Sequence, residues 1–193
     1  MHIQGIYQKA KVGTAAGLIG GFAIILSFFV IDSSIGAPLG TFYTMIGLAV
    51  GLHGVNALIF GLFVHMLTSV TIGVVFCICS TLHPMLNLTS TWKGTFAGGV
   101  TGLEVYAIFF MPITLFIVLP AIRYFAMGSG DTALTINELH MISALKANLN
   151  LIVWGSLALH VLYGSTMGFF SSLMIHEEYK TKQSTTKQDF FTV

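Results

Sequence analysis

The chain has 193 residues, of which 55% are hydrophobic and only 8% are charged. Soluble domains carry about 25% charged residues, so this composition excludes an ordinary water-soluble domain and predicts a protein that resides in lipid. The net charge of +1, with no basic patch beyond short tails, excludes a nucleic-acid-binding protein.

Long uncharged segments follow one another along the chain, and each reaches the roughly 17–20 residues that a helix needs to cross the hydrocarbon core. They predict spans at about 12–31, 57–82, 93–122 and 148–175. Residues 1–193 then form one all-α integral membrane domain. The segment at 38–52 is short for a crossing and suits a re-entrant or interfacial half-helix. A fifth crossing at 38–54 is the alternative.

The basic residues favour four spans. Four spans place six lysines on one side of the membrane: Lys9, Lys11, Lys93, Lys180, Lys182 and Lys187. Only Arg123 and Lys146 lie on the other side. The positive-inside rule therefore predicts a multi-pass protein of the cell (plasma) membrane with both termini in the cytoplasm.

Residues spaced four apart, most of them small, occur in all four predicted spans, and the sets form two repeating pairs. The sets are Gly13, Gly17 and Gly21; His65, Ser69 and Gly73; Gly94, Gly98 and Gly102; and His160, Gly164 and Gly168. Steps of four place each set along one side of a helix, where a missing side chain lets another backbone approach. We interpret the chain as two copies of one helical hairpin, at 12–82 and 93–175. The copies share an orientation because each crosses the membrane twice.

The second copy has a longer segment between its spans. A turn signal at 128–131 opens this segment and predicts a short outer helix, with Asp131 or Thr132 as its N-cap. This helix corresponds to the half-helix at 38–52 in the first copy, so that each copy consists of a span, a short helix and a second span.

Two further features concern the second copy. Pro112 and Pro120 are predicted to kink the third span, because each removes a helix hydrogen bond. The cytoplasmic tail at 176–193 is polar and has no apolar pattern by which to fold alone.

Glu104 is the only charged residue of the third predicted span between Lys93 and Arg123. It lies about 16 Å beyond Lys93 at 1.5 Å per residue, which places it near the middle of the membrane. Its equivalent in the first copy is Ala23, so the carboxyl group is an addition to the repeat. One interpretation is a carboxylate that handles protons or cations, and the other is a protonated glutamate that is hydrogen-bonded to a neighbouring helix.

His65 and His160 hold equivalent places in the two copies. A near two-fold arrangement of their helices suits a bis-His haem b or a copper ion held between helices. The small residues on the same faces instead favour direct helix contact, with each imidazole making a hydrogen bond across helices and Tyr163 beside His160. No cofactor is expected on this second interpretation.

No nucleophile elbow, phosphate-binding loop or pair of catalytic carboxylates occurs, so the chain is not predicted to be an enzyme by itself. Its size and layout, with the stretches GTFYTMIGLAVG at 40–51 and HVLYGSTMGFF at 160–170, resemble small accessory subunits of multi-subunit membrane enzymes. The helical partners of archaeal and bacterial copper-dependent ammonia and methane monooxygenases are one such set. The resemblance implies a non-catalytic subunit and transfers no site residue.

Three functional hypotheses follow. The first is a non-catalytic accessory or structural subunit of a larger membrane complex that packs through its glycine-rich helix faces, with the lipid bilayer and other membrane subunits as its partners. The sequence leaves open whether these faces meet within the chain or meet a neighbour. The second is a small oligomeric transporter or channel that uses Glu104, His65 and His160 along a polar route. The third is an electron carrier that binds haem b through the two histidines.

Overall fold

The computed structural model describes residues 3–80, 88, 90–127 and 134–190, and every regular element in that part of the chain is helical. The helices are α1 (Ile3–Ser34), α2 (Thr41–Ala49), α3 (Gly54–Cys79), α4 (Thr91–Val105), α5 (Met111–Ile113), α6 (Leu119–Ala126), α7 (Ile136–Ala147) and α8 (Leu149–Phe190). Two π-helical turns, π1 (Tyr106–Phe110) and π2 (Thr114–Val118), join α4, α5 and α6 into one helical segment. The all-α prediction is confirmed for these residues.

Four helical stretches among the described residues are long and apolar enough to cross a membrane. They are Gly5–Ser34, Gly54–Cys79, Thr91–Phe125 and Leu149–Ile175. Helix α2 has nine residues. At 1.5 Å per residue it is about 14 Å long, less than half of the hydrocarbon core. The chain is therefore a multi-pass membrane protein with four such helices, and the alternative of a fifth crossing at 38–54 is wrong.

The ends of the helices differ from the predictions in two places. Helix α3 begins at Gly54, three residues earlier than expected, and α8 continues to Phe190 rather than ending at residue 175. The polar tail at 176–193, which has no apolar pattern by which to fold alone, continues the backbone of α8 up to Phe190. Extending a helix that has already formed requires no new nucleation step, so a polar sequence can continue the helix that precedes it.

A π turn precedes each proline of the third span. The ring of a helical proline clashes with the carbonyl group four residues earlier, which belongs to Ile108 for Pro112 and to Phe116 for Pro120. Both residues lie inside a π turn. The wider i→i+5 turn gives the carbonyl group room. The prolines are thus accommodated by π turns, a solution that the prediction of kinks did not include.

Helix α7 is a short helix in the segment where the sequence predicted one, but its cap is different. Thr135 is the N-cap, and its hydroxyl accepts a hydrogen bond from the Glu138 amide, while the Glu138 carboxylate accepts one from the Thr135 amide. This capping box satisfies two amides that the first turn of a helix leaves open. The prediction of Asp131 or Thr132 as the cap, both outside the described residues, is wrong.

The described helices divide between two compact units. Unit 1 comprises Met1–Gly20, Ser69–Gly102 and Val161–Val193, and unit 2 comprises Gly21–Thr68 and Leu103–His160. Each of the four long helical segments contributes to both units.

Helices in unit 1 meet backbone to backbone, α1 with α3 and α4 with α8. A Cβ atom added to any of seven glycines would fall within 3 Å of the opposite backbone: Gly13, Gly17, Gly73, Gly94, Gly98, Gly164 and Gly168. Gly17 lies opposite Ser69, and Gly102 lies opposite Gly164. The members of the four sets that lie in unit 1 therefore contact one another within the chain.

Unit 2 is built around α2, whose residues are mostly buried. A Cβ atom on Gly47 would collide with the backbone of Ala57, and one on Gly61 would collide with the backbone of Tyr43. Helix α2 thus lies directly against α3. This close contact carries the aromatic side chains of α2 into the core of unit 2.

Candidate functional site

A continuous group of rings fills the core of unit 2 and contains both intramembrane histidines. We call it the ring cluster; its members are Phe28, Phe42, Tyr43, His65, Tyr106, Phe110 and His160. The centre of the His65 ring lies 5.2 Å from that of Tyr43, and the centre of the His160 ring lies 5.1 Å from that of Phe110. Phe42 stacks on Phe110 at 5.4 Å and so connects the two ends.

Each histidine also bonds to a backbone carbonyl group. His65 Nε2 lies 3.2 Å from the Gly21 oxygen on α1, and His160 Nδ1 lies 2.7 Å from the Ser156 oxygen one turn earlier on α8. A carbonyl oxygen only accepts, so these two nitrogens carry their protons. His65 therefore links two helices, whereas His160 bonds within its own.

Tyr163 makes no hydrogen bond to His160, although the sequence analysis placed the two side by side. Its hydroxyl donates to the Ser69 carbonyl oxygen at 2.9 Å, inside unit 1. The expectation that Tyr163 is the hydrogen-bonding neighbour of His160 is wrong. That neighbour is the Ser156 carbonyl group, and the rings against His160 are Tyr106 and Phe110.

The ring cluster also contains the residues proposed to hold haem or copper. The imidazoles of His65 and His160 are connected by packed rings, including the stacked pair Phe42 and Phe110. Among the described residues, no three or more His, Cys, Asp or Glu side chains are grouped as metal ligands would be.

Three buried hydroxyl groups in unit 2 have no hydrogen-bond partner among the described residues. They belong to Tyr43, Thr114 and Ser156. Thr114 is one turn beyond Phe110 and Ser156 is one turn before His160, while Phe110 and His160 are in ring contact. Buried hydroxyls normally find a protein or water partner, so this part of unit 2 is a polar spot within an apolar core.

Glu104 lies outside the ring cluster. Its side chain is exposed on the surface of the chain, and no hydrogen bond or ion pair involves it among the described residues. Its neighbours Leu103 and Ile108 are exposed as well. The structure therefore does not bring Glu104 together with the two histidines, which lie in the ring cluster.

Glu138 is a buried carboxylate that the sequence analysis missed. Besides the capping box, its Oε1 accepts from the Gly54 amide at 3.1 Å and lies 3.3 Å from His53 Nδ1, while Oε2 also accepts from the Thr135 hydroxyl at 2.9 Å. Burial would raise the pKa of Glu138, but the bonds from Thr135, Gly54 and His53 outweigh it and lower the pKa from its ordinary value of 4.5. The spacing Thr135-x-x-Glu138 is a capping-box signal that could have found it.

Asp32 is the second missed carboxylate. It is almost fully buried, and its Oδ2 accepts from the amides of Gly40 at 2.8 Å and Thr41 at 3.1 Å. Gly40 occupies the N-cap position of α2 without a side chain to cap it. Asp32 therefore supplies, from the end of α1, the acceptor that the start of α2 lacks.

An open groove of about 650 Å³ lies near the Glu138 bonds. Its walls come from the residues after α2 and from the end of the third span, with Val50, His53, Phe116 and Tyr124 among them. Among the described residues of its lining, His53 carries the one imidazole, and most of the others are apolar.

No protein-family model, curated protein or solved structure matches the chain. What these residues do is therefore inferred from their positions and contacts alone.

Proposed function

We propose that the protein is a non-catalytic accessory or structural subunit of a larger membrane complex. In this proposal it lies in the cell membrane with both termini in the cytoplasm, and its two hairpins are copies of one unit. Helices α2 and α7 are the short outer helices of the two copies, re-entrant or interfacial rather than spanning.

The ring cluster is the observation that carries this proposal. Both histidines have one nitrogen bonded to a backbone carbonyl group, and packed rings occupy the space around them. The His65 bond joins α3 to α1, and the rings that pack against both histidines come from other helical segments. In lipid, such a hydrogen bond and close packing replace the hydrophobic drive that is absent there. The interior of unit 2 therefore supports a packing role better than a reactive site.

The glycine contacts add a restriction. They join α1 to α3 and α4 to α8 inside unit 1, so these glycine faces are already occupied within the chain. A partner subunit must then dock on other, outward surfaces of the helices. The sequence left open whether the glycine faces meet within the chain or meet a neighbour; they meet within the chain, and we expect the partner elsewhere.

A small transporter or channel is the second candidate, and one observation favours it. The buried hydroxyls of Tyr43, Thr114 and Ser156 have no protein partner among the described residues, which suits a short polar path. Against it, Glu104 lies exposed on the surface and makes no contact with the half-buried histidines of the ring cluster among the described residues. The haem hypothesis has less support, because each histidine has one nitrogen bonded to a carbonyl group and an aromatic ring packed against its imidazole.

The deciding experiment is purification from native membranes in mild detergent, with mass spectrometry and an absorption spectrum of the same fraction. We expect membrane partners in fixed stoichiometry and no Soret band. A homo-oligomer without partners would contradict the proposal. In that case, flux in reconstituted vesicles that Thr114→Val abolishes would establish the transporter, and a Soret band that His65→Ala abolishes would establish the haem carrier.

A further inference from the structure

Glu104 places a carboxyl group on an outward apolar surface of the third span. Leu103 before it is 49% exposed, and Ile108, one turn after it, is 65% exposed. Ala107 between them is exposed too. The carboxyl group is therefore surrounded by side chains that suit lipid or another apolar helix.

The depth of Glu104 makes this position costly. It is eleven residues after Lys93 and nineteen before Arg123, the nearest cations of the same span on either side. At 1.5 Å per residue these separations are about 16 Å and 28 Å, so the carboxyl group lies within the hydrocarbon core. Ionisable groups at this depth almost always face protein or a water-filled cavity, because lipid tails offer them no hydrogen bond.

The chain itself does not supply the missing group. No hydrogen bond or ion pair reaches Glu104 from the described residues, and His65 and His160 are committed to carbonyl groups within the ring cluster. The described residues of a second copy would bring no cation to this depth either. The described cations of its spans, Lys9, Lys11, Lys93 and Arg123, all lie toward the ends of those spans.

We propose that Glu104 is the docking contact for a transmembrane helix of another subunit, and that this helix carries a lysine or arginine at the same depth. The inference rests on the proposed function and names the chemistry of the partner. Charge complementarity selects that partner, since a basic side chain converts an isolated carboxyl group into a hydrogen-bonded ion pair within the membrane. Leu103 and Ile108 then pack on the apolar sides of the same helix.

The test is site-specific photo-crosslinking in cells that contain the natural partners. A benzophenone amino acid replaces Ile108 on the Glu104 surface, and in a matched control it replaces Ile59 of α3, which is 58% exposed. We expect position 108 to link to one transmembrane peptide of another protein, with a lysine or arginine within one turn of the link. Glu104→Gln, which keeps the shape of the side chain, should lower that yield about tenfold. Glu104→Lys combined with exchange of the partner's basic residue for glutamate should restore it.

Several results would overturn the inference. They are a link from position 108 to a second copy of this chain, a link to lipid alone, a partner peptide without a basic residue, or an unchanged yield in Glu104→Gln. Links to another subunit from position 59 but not from 108 would leave the accessory-subunit function standing while removing Glu104 as its contact. Loss of links at both positions, with no co-purifying partner, would remove both proposals.

Discussion

Units 1 and 2 contain parts of the same four long helical segments, yet they hold those helices together by different means. In unit 1 backbones touch at small residues, with Gly98 against Gly164 as one of the tightest contacts. In unit 2 rings pack side by side, and the buried carboxylates of Asp32 and Glu138 accept hydrogen bonds from amides at the starts of α2 and α3. The difference teaches that one helix can pack through glycines, where backbones touch, along part of its length and through large side chains along another part. The two kinds should also fail differently.

The largest effect is expected from Gly98→Ala in unit 1. The added Cβ atom would meet the Gly164 carbonyl oxygen, and a backbone cannot move aside as a flexible side chain can. We expect a loss of about 3 kcal/mol in the free energy of unfolding, the upper end of the range for overpacking. The measurement is a denaturant titration in mixed micelles, followed by circular dichroism.

The matched control for this change is Gly155→Ala in unit 2. A Cβ atom there meets only Ile31 Cδ1, at 3.9 Å, so it fits without strain. Alanine is the better helix former by up to about 1 kcal/mol, and the stability of the protein should stay level or rise. Equal losses from the two substitutions would contradict the contrast between the units.

The next effect is expected from Phe110→Ala, which opens the ring cluster of unit 2. Phe110 contacts Phe42, Tyr106 and His160 and is 5% exposed. Lipid is as apolar as the core, so the loss comes from packing alone and should be about 2 kcal/mol, below the value for soluble cores. Phe116→Ala, at a side chain that is 77% exposed, should cost little in the same titration. A ring cluster that tolerates the alanine at position 110 equally well would not be the structural core described here.

A pH titration tests the contribution of the Glu138 carboxylate to the stability of unit 2. The pKa of Glu138 is lowered in the folded protein, so its stabilising effect is fully present above the ordinary value of 4.5 and is lost as the pH falls through the lowered value. Stability measured from pH 7 to pH 3 should therefore decrease in the acid range for the unmodified protein. Glu138→Gln should be less stable at pH 7 and should show a flatter dependence below pH 4.5. Parallel curves for the two proteins would contradict the assignment.

The smallest effect is expected from Tyr163→Phe, which removes the one hydroxyl bond to Ser69 in unit 1 and leaves the glycine contacts in place. Hydrogen bonds between membrane helices average about 0.6 kcal/mol, and the loss should be of that size. Tyr124→Phe, at a half-exposed tyrosine, is the control. A loss as large as that of Gly98→Ala would mean that polar bonds hold unit 1 after all.

The sequence was sufficient for the four spans and the two short helices, because length and hydropathy determine whether a helix can cross a bilayer. It was not sufficient for the direction in which Glu104 points. A span that is apolar all round has no periodic pattern to mark its buried side, and the π turns that begin at Tyr106 change the register just beyond Glu104. Glu138 and Asp32 were missed for another reason, since their roles depend on amides that other segments place beside them.

The two buried carboxylates have a consequence for the order in which the protein can be built. Asp32 bonds to amides eight and nine residues ahead of it, so the start of α2 can be capped soon after this stretch leaves the ribosome. Glu138 bonds to Gly54, which was synthesised 84 residues earlier. The first turn of α3 therefore lacks this acceptor until α7 has been made. Nascent chains that end before residue 138 should expose the Gly54 amide to exchange, and completion of α7 should close it.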